Sequence, residues 1–187
     1  MYYIIDSIML KIVTVPNDVL TSSSKPVTSF DGKLHQLVKD MEDVLNAQVD
    51  PQGVGLAAPQ VGIKMSLFIM KATAKSSVKA FINPVIKRPV LSKNEPSQKK
   101  TKKKKRHFEG CLSIPKIWSE IVRPKKILLE YQAVSGEKKN EWFSGFEAVI
   151  IDHEVDHLNG VLFTQRALEQ KSQLYEEKKG KLVKMDY

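Results

Sequence analysis

One stretch constrains the chain more than any other, and it covers residues 144–160, S-G-F-E-A-V-I-I-D-H-E-V-D-H-L-N-G. Five of its residues follow the spacing of one helix face: Phe146, Val149, Ile150, His153 and His157. Ser144 and Glu147 have the spacing of a capping box, and Gly160 suits the positive φ that often follows a helix end. The stretch therefore predicts a helix that carries two imidazoles, one turn apart, on a single face.

Two histidines at this spacing are typical of a metal site. His153 and His157 can close on a single ion, and Glu154 stands beside them as a candidate general base. A core helix with hydrogen-bonded histidines is the simpler alternative. A catalytic metal needs three protein ligands and an open position for water. A third ligand must therefore come from elsewhere in the chain.

The third ligand has two candidate sources. Cys111, the only cysteine, is the better candidate, because its thiolate is a strong ligand for a soft or borderline ion. Glu176 and Glu177 lie far enough downstream to serve in a thermolysin-like peptidase site. A third histidine of the metzincin type is excluded, because Phe163 stands at its position.

Composition bounds the class of protein. A chain of 187 residues with 42% hydrophobic residues can form one domain with a substantial core. It has no apolar run of the ~18–20 residues that a membrane span needs. A single cysteine allows no intrachain disulfide and suits a reducing compartment. We therefore expect one domain over 1–187 with a loose extension at 1–9, in a bacterial-type cytoplasm, with an organellar location left open.

The remaining pattern predicts one further amphipathic helix and several short strands. The helix covers 33–48, and the strands cover 10–15, 65–70, 80–88, 127–134 and 140–143. Ser135-Gly136 is predicted to be the turn of a hairpin. From Thr164 onwards, apolar residues mixed with charges predict a more exposed C-terminal helix.

Residues 93–106 differ in composition from the rest of the chain. They hold eight Lys or Arg and one Glu, and so carry seven of the nine net positive charges. The segment contains a proline and no apolar residue, which predicts a solvated, lysine-rich loop insertion. The tract by itself would favour a metal-stabilised nucleic-acid-binding module.

Three motifs, in this order along the chain, resemble those of the peptide deformylases. Residues 53–60 match G-x-G-x-A-A-P-Q, residues 109–113 match E-G-C-x-S, and residues 153–157 match H-E-x-D-H and continue into Leu-Asn-Gly. The resemblance covers roughly residues 10–165. Asp152 departs from the family, which usually has glutamine before the first histidine.

The resemblance implies a fold and an activity. The fold is α+β, with short antiparallel sheets packed around a central metal-binding helix and with a C-terminal helix. The activity is removal of the N-formyl group from the initiator methionine of nascent polypeptides, with release of formate. Fe²⁺ is the usual ion of the family, and Zn²⁺ and Ni²⁺ are common occupants of such sites.

The resemblance also assigns roles to individual residues. The implied metal ligands are Cys111, His153 and His157. Glu154 would move the proton, and the Gln60 side-chain amide and the Leu112 backbone N–H would stabilise the oxyanion. Gly55 would hydrogen-bond the peptide as an added strand does. The methionine side chain would lie against Val54, Phe146, Val149 and Ile150, for which ordinary core packing is the alternative.

Charged residues within and beside the motifs predict a supporting network. Glu109 and Asp156 are acidic, and Arg123 is their obvious cationic partner, so we expect at least one of them in a network that orients the metal ligands. Asp152 points about 100° away from its neighbour His153 around a helix, so we do not expect it to be a metal ligand. A charge that is simply exposed to solvent is one interpretation of this residue.

A deformylase meets chains as they leave the ribosome, so the resemblance implies ribosome contact, mainly through the C-terminal helix, here 166–184. That span holds six Lys or Arg against three Glu, whereas Lys99–Arg106 is the stronger electrostatic candidate for ribosomal RNA. No membrane partner is expected. Formyl-peptide hydrolysis, a peptidase with a downstream glutamate ligand and a nucleic-acid-binding module remain the three function classes.

Overall fold

Nine strands and three helices form the part of the chain that the structure describes, residues 10–73, 76–87 and 106–186 of a computed structural model. The strands are β1 (Gly55–Ala57), β2 (Leu67–Met70), β3 (Lys79–Lys87), β4 (Arg106–Cys111), β5 (Ile114–Val122), β6 (Lys126–Gln132), β7 (Lys138–Ser144), β8 (Leu174–Lys178) and β9 (Lys181–Lys184). The helices are α1 (Gly32–Asn46), α2 (Phe146–Leu158) and α3 (Phe163–Glu169), with 3-10 turns at Asp18–Thr21 and Ala58–Val61.

The strands form two separate antiparallel sheets. A five-stranded sheet has the order β1-β2-β3-β6-β7, and a four-stranded sheet has the order β4-β5-β8-β9. Helix α2 packs on the five-stranded sheet, with Ala148, Ile150 and Ile151 in their shared core. The predicted α+β fold, with short antiparallel sheets around the histidine helix, is confirmed.

The five-stranded sheet is covered on both faces, and β2 demonstrates it. Phe68 and Met70 belong to the core beneath α2, whereas Leu67 and Ile69 belong to the core beneath α1. Successive strand residues point to opposite faces, so four consecutive buried apolar residues require a layer on each side. A third core, beneath the four-stranded sheet, packs against α3 and includes Cys111.

The two ends of α2 are formed by glycines. Ser144 is the last residue of β7 and pairs with Lys126, so its backbone is held by the sheet. Gly145 is the N-cap at φ 63°, and no side chain caps the helix, so the predicted capping box between Ser144 and Glu147 is wrong. The predicted stop at Gly160 is confirmed by its φ of 71°. A Cβ at that position would lie 2.7 Å from the backbone of Thr21.

The other element predictions divide into two groups. Helix α1, strands β2 and β3 and the β6–β7 hairpin are confirmed, and Gly136 in the hairpin turn has φ 86°. The strand predicted at 10–15 is wrong: Val13 and Val15 each donate one backbone hydrogen bond to a different loop, to the Gln60 and Ser113 carbonyls. The segment is extended, yet it has no continuous partner strand.

The C-terminal segment differs most from its prediction. A helix is present, but it ends at Glu169, and β8 and β9 form a hairpin over 174–184 where a continued helix was predicted. Strand β8 pairs with β5, and that pairing outweighs the helical preference of the charged residues. The extension at 1–9 and residues 93–105 of the lysine-rich insertion lie outside the described residues. Among the helices of the described part, none is long and apolar enough to cross a membrane.

Candidate metal centre

The three sequence motifs meet at one point, where Cys111 ends β4, the histidines extend from α2 and Gln60 approaches Cys111. The Sγ atom of Cys111 lies 3.2 Å from Nε2 of His157. The ligand atoms of Cys111, His153 and His157 all lie within 4.8 Å of one another. Cys111 precedes His153 by 42 positions in the sequence, so the fold brings distant residues together at this cluster. Within the described ranges, this is the only such cluster of metal-ligating side chains.

The chemistry of this cluster suits a divalent ion. One thiolate and two imidazoles are the donors that borderline first-row metals prefer. Three buried side-chain atoms of the described chain have no hydrogen-bond partner: Ser24 Oγ, Glu154 Oε2 and His157 Nδ1. Buried polar groups are nearly always paired, and the unpaired Glu154 oxygen lies in the cavity beside the cluster, where a further polar group can complete its bonding.

Electrostatics favours the thiolate form of Cys111. Burial alone would raise the pKa of the thiol, but the charge of His157 and the hydrogen bonds to both histidines hold that pKa well below its usual value. Burial lowers the pKa of His153, yet its bonds to Cys111 and Glu109 raise it to about 10. A cation that binds here must therefore displace a proton from the cluster.

Glu154 lies beside the cluster without belonging to it. Its side chain is buried, and burial raises the pKa of the carboxyl to about 7 despite the nearby histidines. A carboxyl with a pKa near neutral pH can both accept and return a proton. Gly55 is what makes room for it, because a Cβ on Gly55 would overlap the Glu154 carboxylate.

A buried arginine holds the acidic residues around the histidines. Arg123 donates from Nε and Nη2 to the two carboxylate oxygens of Glu109, each at 2.9 Å, and Nη1 donates to Asp156 at 2.6 Å. Glu109 in turn lies 3.2 Å from Nδ1 of His153. The bidentate pair fixes the carboxylate, and the carboxylate fixes the imidazole ring. The predicted supporting network is confirmed.

Asp152 joins this network, which its position on the helix did not predict. Its Oδ2 accepts from Nη1 of Arg123 at 2.9 Å, so the interpretation as an exposed charge is wrong. Burial raises the pKa of Asp152, and the adjacent Arg123 lowers it in part. Arg166 adds a second cation by donating two hydrogen bonds to Asp156.

Gln60 presents its amide nitrogen to the cluster. Its Oε1 accepts from the Ala57 N–H at 2.8 Å, which leaves Nε2 directed at Cys111 Sγ, 3.5 Å away, and at Ser113 Oγ, 3.4 Å away. Its orientation is therefore set by the backbone of its own motif. Leu112 follows Cys111 and lines the same cavity.

A cavity of about 270 Å³ opens onto these groups. Its lining includes all five residues predicted to bind substrate: Val54, Gly55, Phe146, Val149 and Ile150. Val149 and Ile150 are buried, whereas Phe146 is 52% exposed at the mouth, so ordinary core packing does not account for Phe146. Phe108 and Trp118 also line the cavity and were not predicted. Their nearest sequence signal is the E-G-C motif that Phe108 precedes.

The downstream glutamates do not reach this centre. Glu176 forms an ion pair with Lys178, and Glu177 accepts a hydrogen bond from the Trp118 indole at 3.0 Å. Both residues lie on β8 and outside the cluster of ligating atoms. The peptidase ligand set considered above is therefore not formed.

Comparison with known proteins agrees with this geometry. The family model described as polypeptide deformylase matches residues 9–173. The chain is 36% identical over 176 residues to a peptide deformylase of Helicobacter pylori, with 94% of this chain and 96% of that protein covered. It is also 36% identical to a peptide deformylase of Borreliella burgdorferi, with 94% and 93% covered.

Solved structures give the same result. The crystal structure of a peptide deformylase from Thermotoga maritima is similar with a TM-score of 0.71 and 38% identity, over 84% of this chain and 97% of that one. A peptide deformylase from Synechococcus elongatus in complex with actinonin has a TM-score of 0.71 and 32% identity, over 84% and 78% of the two chains.

Proposed function

Since this chain belongs to the polypeptide deformylase family, we propose that the cavity at Cys111 is where it removes the N-formyl group from the initiator methionine of nascent polypeptides. One observation carries the assignment of the site. The ligand atoms of Cys111, His153 and His157 converge at the floor of an apolar cavity, with the Glu154 carboxyl beside them. Hydrolysis of the formyl amide releases formate and a free amine.

Cys111, His153 and His157 would hold the metal ion. A divalent ion bound by them would act as a Lewis acid, which lowers the pKa of water towards neutrality and polarises a carbonyl. We propose Fe²⁺ as the native ion, because it is the usual ion of the family. Zn²⁺ and Ni²⁺ are alternatives, because a thiolate with two imidazoles accepts each of the three ions.

Glu154 would manage the proton of the reaction. Its carboxyl, with a pKa raised by burial to about 7, would take a proton from the attacking water and deliver it to the leaving amine. Both transfers would use the same carboxylate.

Gln60 and Leu112 would stabilise the oxyanion. The Gln60 amide nitrogen is already directed towards Cys111, because Ala57 holds the amide oxygen. A donor fixed in this way costs no reorganisation when negative charge develops on the formyl oxygen. The Leu112 backbone N–H, next to the thiolate ligand, would be the second donor.

The substrate backbone would lie between two strand edges. Strands β1 and β4 are each outermost in their sheets, and residues of both line the cavity. An edge strand offers free N–H and C=O groups, so an extended peptide can pair with it as an added strand. Gly55 would make these bonds on the β1 side. Val54, Phe146, Val149 and Ile150 would surround the methionine side chain.

A formate-release assay tests this function. The purified protein, loaded with Fe²⁺ without oxygen, is expected to release formate from formyl-Met-Ala-Ser. It should release nothing from the acetylated or unformylated peptide and should not cleave an internal peptide bond. Peptide-bond cleavage without formate release would instead favour the peptidase class.

The proposed iron site predicts sensitivity to oxidation. A thiolate beside Fe²⁺ exposes both sulfur and metal to peroxide. The Fe²⁺ form is expected to lose activity quickly under peroxide, while the Ni²⁺ form resists. Formate release sampled over time on matched preparations measures the two rates. Equal rates of decay would contradict an iron-linked vulnerability.

For ribosome contact we propose Lys99–Arg106. Strand pairing replaces most of the C-terminal helix that the family resemblance implied for this role, whereas residues 99–105 hold six lysines and no acidic residue. If these lysines neutralise phosphates, the binding constant falls steeply as salt rises, with a slope set by the number of contacts.

Deletion of residues 99–105 is therefore expected to weaken ribosome binding and to flatten its salt dependence. The kcat on formyl-Met-Ala-Ser should not change. Sedimentation with ribosomes over a range of salt concentrations measures both quantities. If the affinity for ribosomes and its salt dependence do not change on deletion, the lysine-rich segment is a solvated loop that does not bind the ribosome.

A further inference from the structure

Asp152 is the third carboxylate on a single guanidinium. Arg123 already binds Glu109 through two hydrogen bonds of 2.9 Å, from Nε and Nη2, and binds Asp156 from Nη1 at 2.6 Å. The same Nη1 also donates to Oδ2 of Asp152, at 2.9 Å. All three nitrogens of Arg123 therefore have a carboxylate partner without Asp152, and the presence of a third carboxylate calls for a reason of its own.

The charges of this network do not balance once Asp152 is included. Arg123 and Arg166 supply two positive charges, which match the carboxylates of Glu109 and Asp156. Asp152 adds a third negative charge, so the five side chains together carry one excess negative charge. The side chain of Asp152 is 23% exposed and that of Arg123 is 2% exposed, so solvent and salt screen this excess charge only in part.

Three successive contacts connect Asp152 to the metal centre. Asp152 binds Arg123, Arg123 binds Glu109, and Oε2 of Glu109 lies 3.2 Å from Nδ1 of His153. A carboxylate that accepts a hydrogen bond from Nδ1 makes the other ring nitrogen a stronger donor to a metal ion. Arg123 draws negative charge away from Glu109, and Asp152 offsets part of that effect. The direct attraction between the excess charge and a divalent ion acts in the same direction.

Asp152 lies away from the cavity that opens onto the metal cluster. It lines a second cavity, of about 500 Å³, and the described lining of the first cavity does not include it. Two lysines line the second cavity as well, but each is bound elsewhere: Lys87 pairs with Glu130 at 2.9 Å, and Nζ of Lys126 lies 4.3 Å from the centroid of the Trp142 ring. Arg123 is therefore the cation that Asp152 acts on in the described part of the chain.

We propose that Asp152 is a positioning residue that raises the affinity of the metal centre for a divalent ion, acting through Arg123 and Glu109. The inference rests on the proposed function, because it requires an ion at the centre proposed above. The centre would use the charge of Asp152 and not its shape. The glutamine that the family usually has at this position is neutral and would leave the network balanced.

The affinity of the metal-free protein for Zn²⁺ tests this role in three variants. Asp152→Asn keeps the size of the side chain and an oxygen that can accept from Arg123, but it removes the charge. Asp152→Glu keeps the charge, and the second cavity has room for the added methylene. The matched control is Glu169→Gln, which removes the charge of a half-exposed carboxylate that binds Arg166 at 3.0 Å and has no bond to Arg123.

Asp152→Asn should bind Zn²⁺ about tenfold more weakly than the wild type in competition with a chelator, at the lower end of the effect of groups that support a ligating histidine. Asp152→Glu and Glu169→Gln should bind Zn²⁺ as the wild type does. Urea denaturation of each metal-free protein should give the same unfolding free energy for Asp152→Asn and wild type. An unchanged affinity in Asp152→Asn, or an Asp152→Glu variant that binds as weakly, overturns the proposal.

Further outcomes separate this proposal from its premises. A weaker affinity that comes with a lower unfolding free energy of the metal-free protein assigns Asp152 a structural role and also overturns the proposal. Zinc binding needs no substrate, so the expected order of affinities without any formate release supports the role of Asp152 and refutes the proposed function. Formate release by a wild type that binds Zn²⁺ no more tightly than Asp152→Asn does the reverse. A wild type that binds no Zn²⁺ overturns both.

Discussion

Replacement of Glu154 by alanine is expected to lower kcat by about 10²–10⁴-fold while the metal stays bound. The change removes the group that moves the proton and removes no ligand. Cys111→Ala is the counterpart, because it removes a ligand and should lose metal and activity together. Metal content per protein after gel filtration, read beside formate release, separates the two roles.

Glu154→Gln is the matched control for Glu154. It keeps the volume of the side chain next to Gly55 and removes only the ability to exchange a proton, so its activity should fall as far as that of the alanine variant. Full metal content and activity in Cys111→Ala, with loss of both in variants of Glu176 or Glu177, would contradict this assignment and favour the peptidase ligand set.

Replacement of Arg123 by leucine is expected to reduce the free energy of unfolding by about 3–5 kcal/mol, because it removes the buried cation that Glu109, Asp152 and Asp156 share and leaves Asp156 with Arg166 alone. The Arg123 side chain is 2% exposed and contacts Glu109, Asp152 and Asp156. Arg123→Lys should recover little of this loss, since an ammonium cannot reproduce the bidentate bond to Glu109. Urea denaturation at neutral pH measures each change.

The pH dependence of this loss has a defined sign. Burial would raise both pKa values, but His153 and Arg123 together hold the pKa of Glu109 below its usual value, and Arg166 and Arg123 do the same for Asp156. In the wild type this pairing contributes stability above those values, and the contribution is lost as the pH falls through the lowered pKa values. In Arg123→Leu the buried carboxylates that have lost the arginine are most costly when ionised, so the difference in unfolding free energy from wild type should shrink on acidification.

An exposed ion pair of similar length serves as the control. Lys178 and Glu176 lie 2.8 Å apart with both side chains largely exposed. Lys178→Met should change the unfolding free energy by less than about 1 kcal/mol. If Arg123→Leu changed it no more than Lys178→Met does, the buried network would contribute nothing beyond an ordinary surface pair.

Sequence reasoning located the centre because its residues carry chemistry that few other roles use. His153, Glu154 and His157 are fixed relative to one another by one helix, so their spacing alone predicts their geometry. Cys111 could be chosen over the downstream glutamates by its affinity for soft ions and by the family motifs. The structure adds what spacing cannot supply, namely that Cys111 Sγ lies within 3.2 Å of His157.

The predictions that failed did so where tertiary contacts decide the outcome. Ser144 has the sequence of a helix cap, but pairing with Lys126 keeps it in a strand. Residues 174–184 have a helical charge pattern, but β5 offers a free edge to which β8 pairs. Asp152 looked solvent-facing from the helix alone, since the position of Arg123 depends on a different element. Each of these outcomes is set by residues distant in sequence.

The separation of the two sheets has a consequence for the order of folding. Among the described strands none is shared between the two sheets. The contacts that close the centre join residues far apart in sequence, with separations of 46 positions for Cys111 and His157 and 51 for Gln60 and Cys111. Hairpins such as β6–β7 need only a short loop to close, whereas these contacts carry a large entropic cost before they are rewarded. We therefore expect the local hairpins to form first and the catalytic groups to come together only when both sheets are in place.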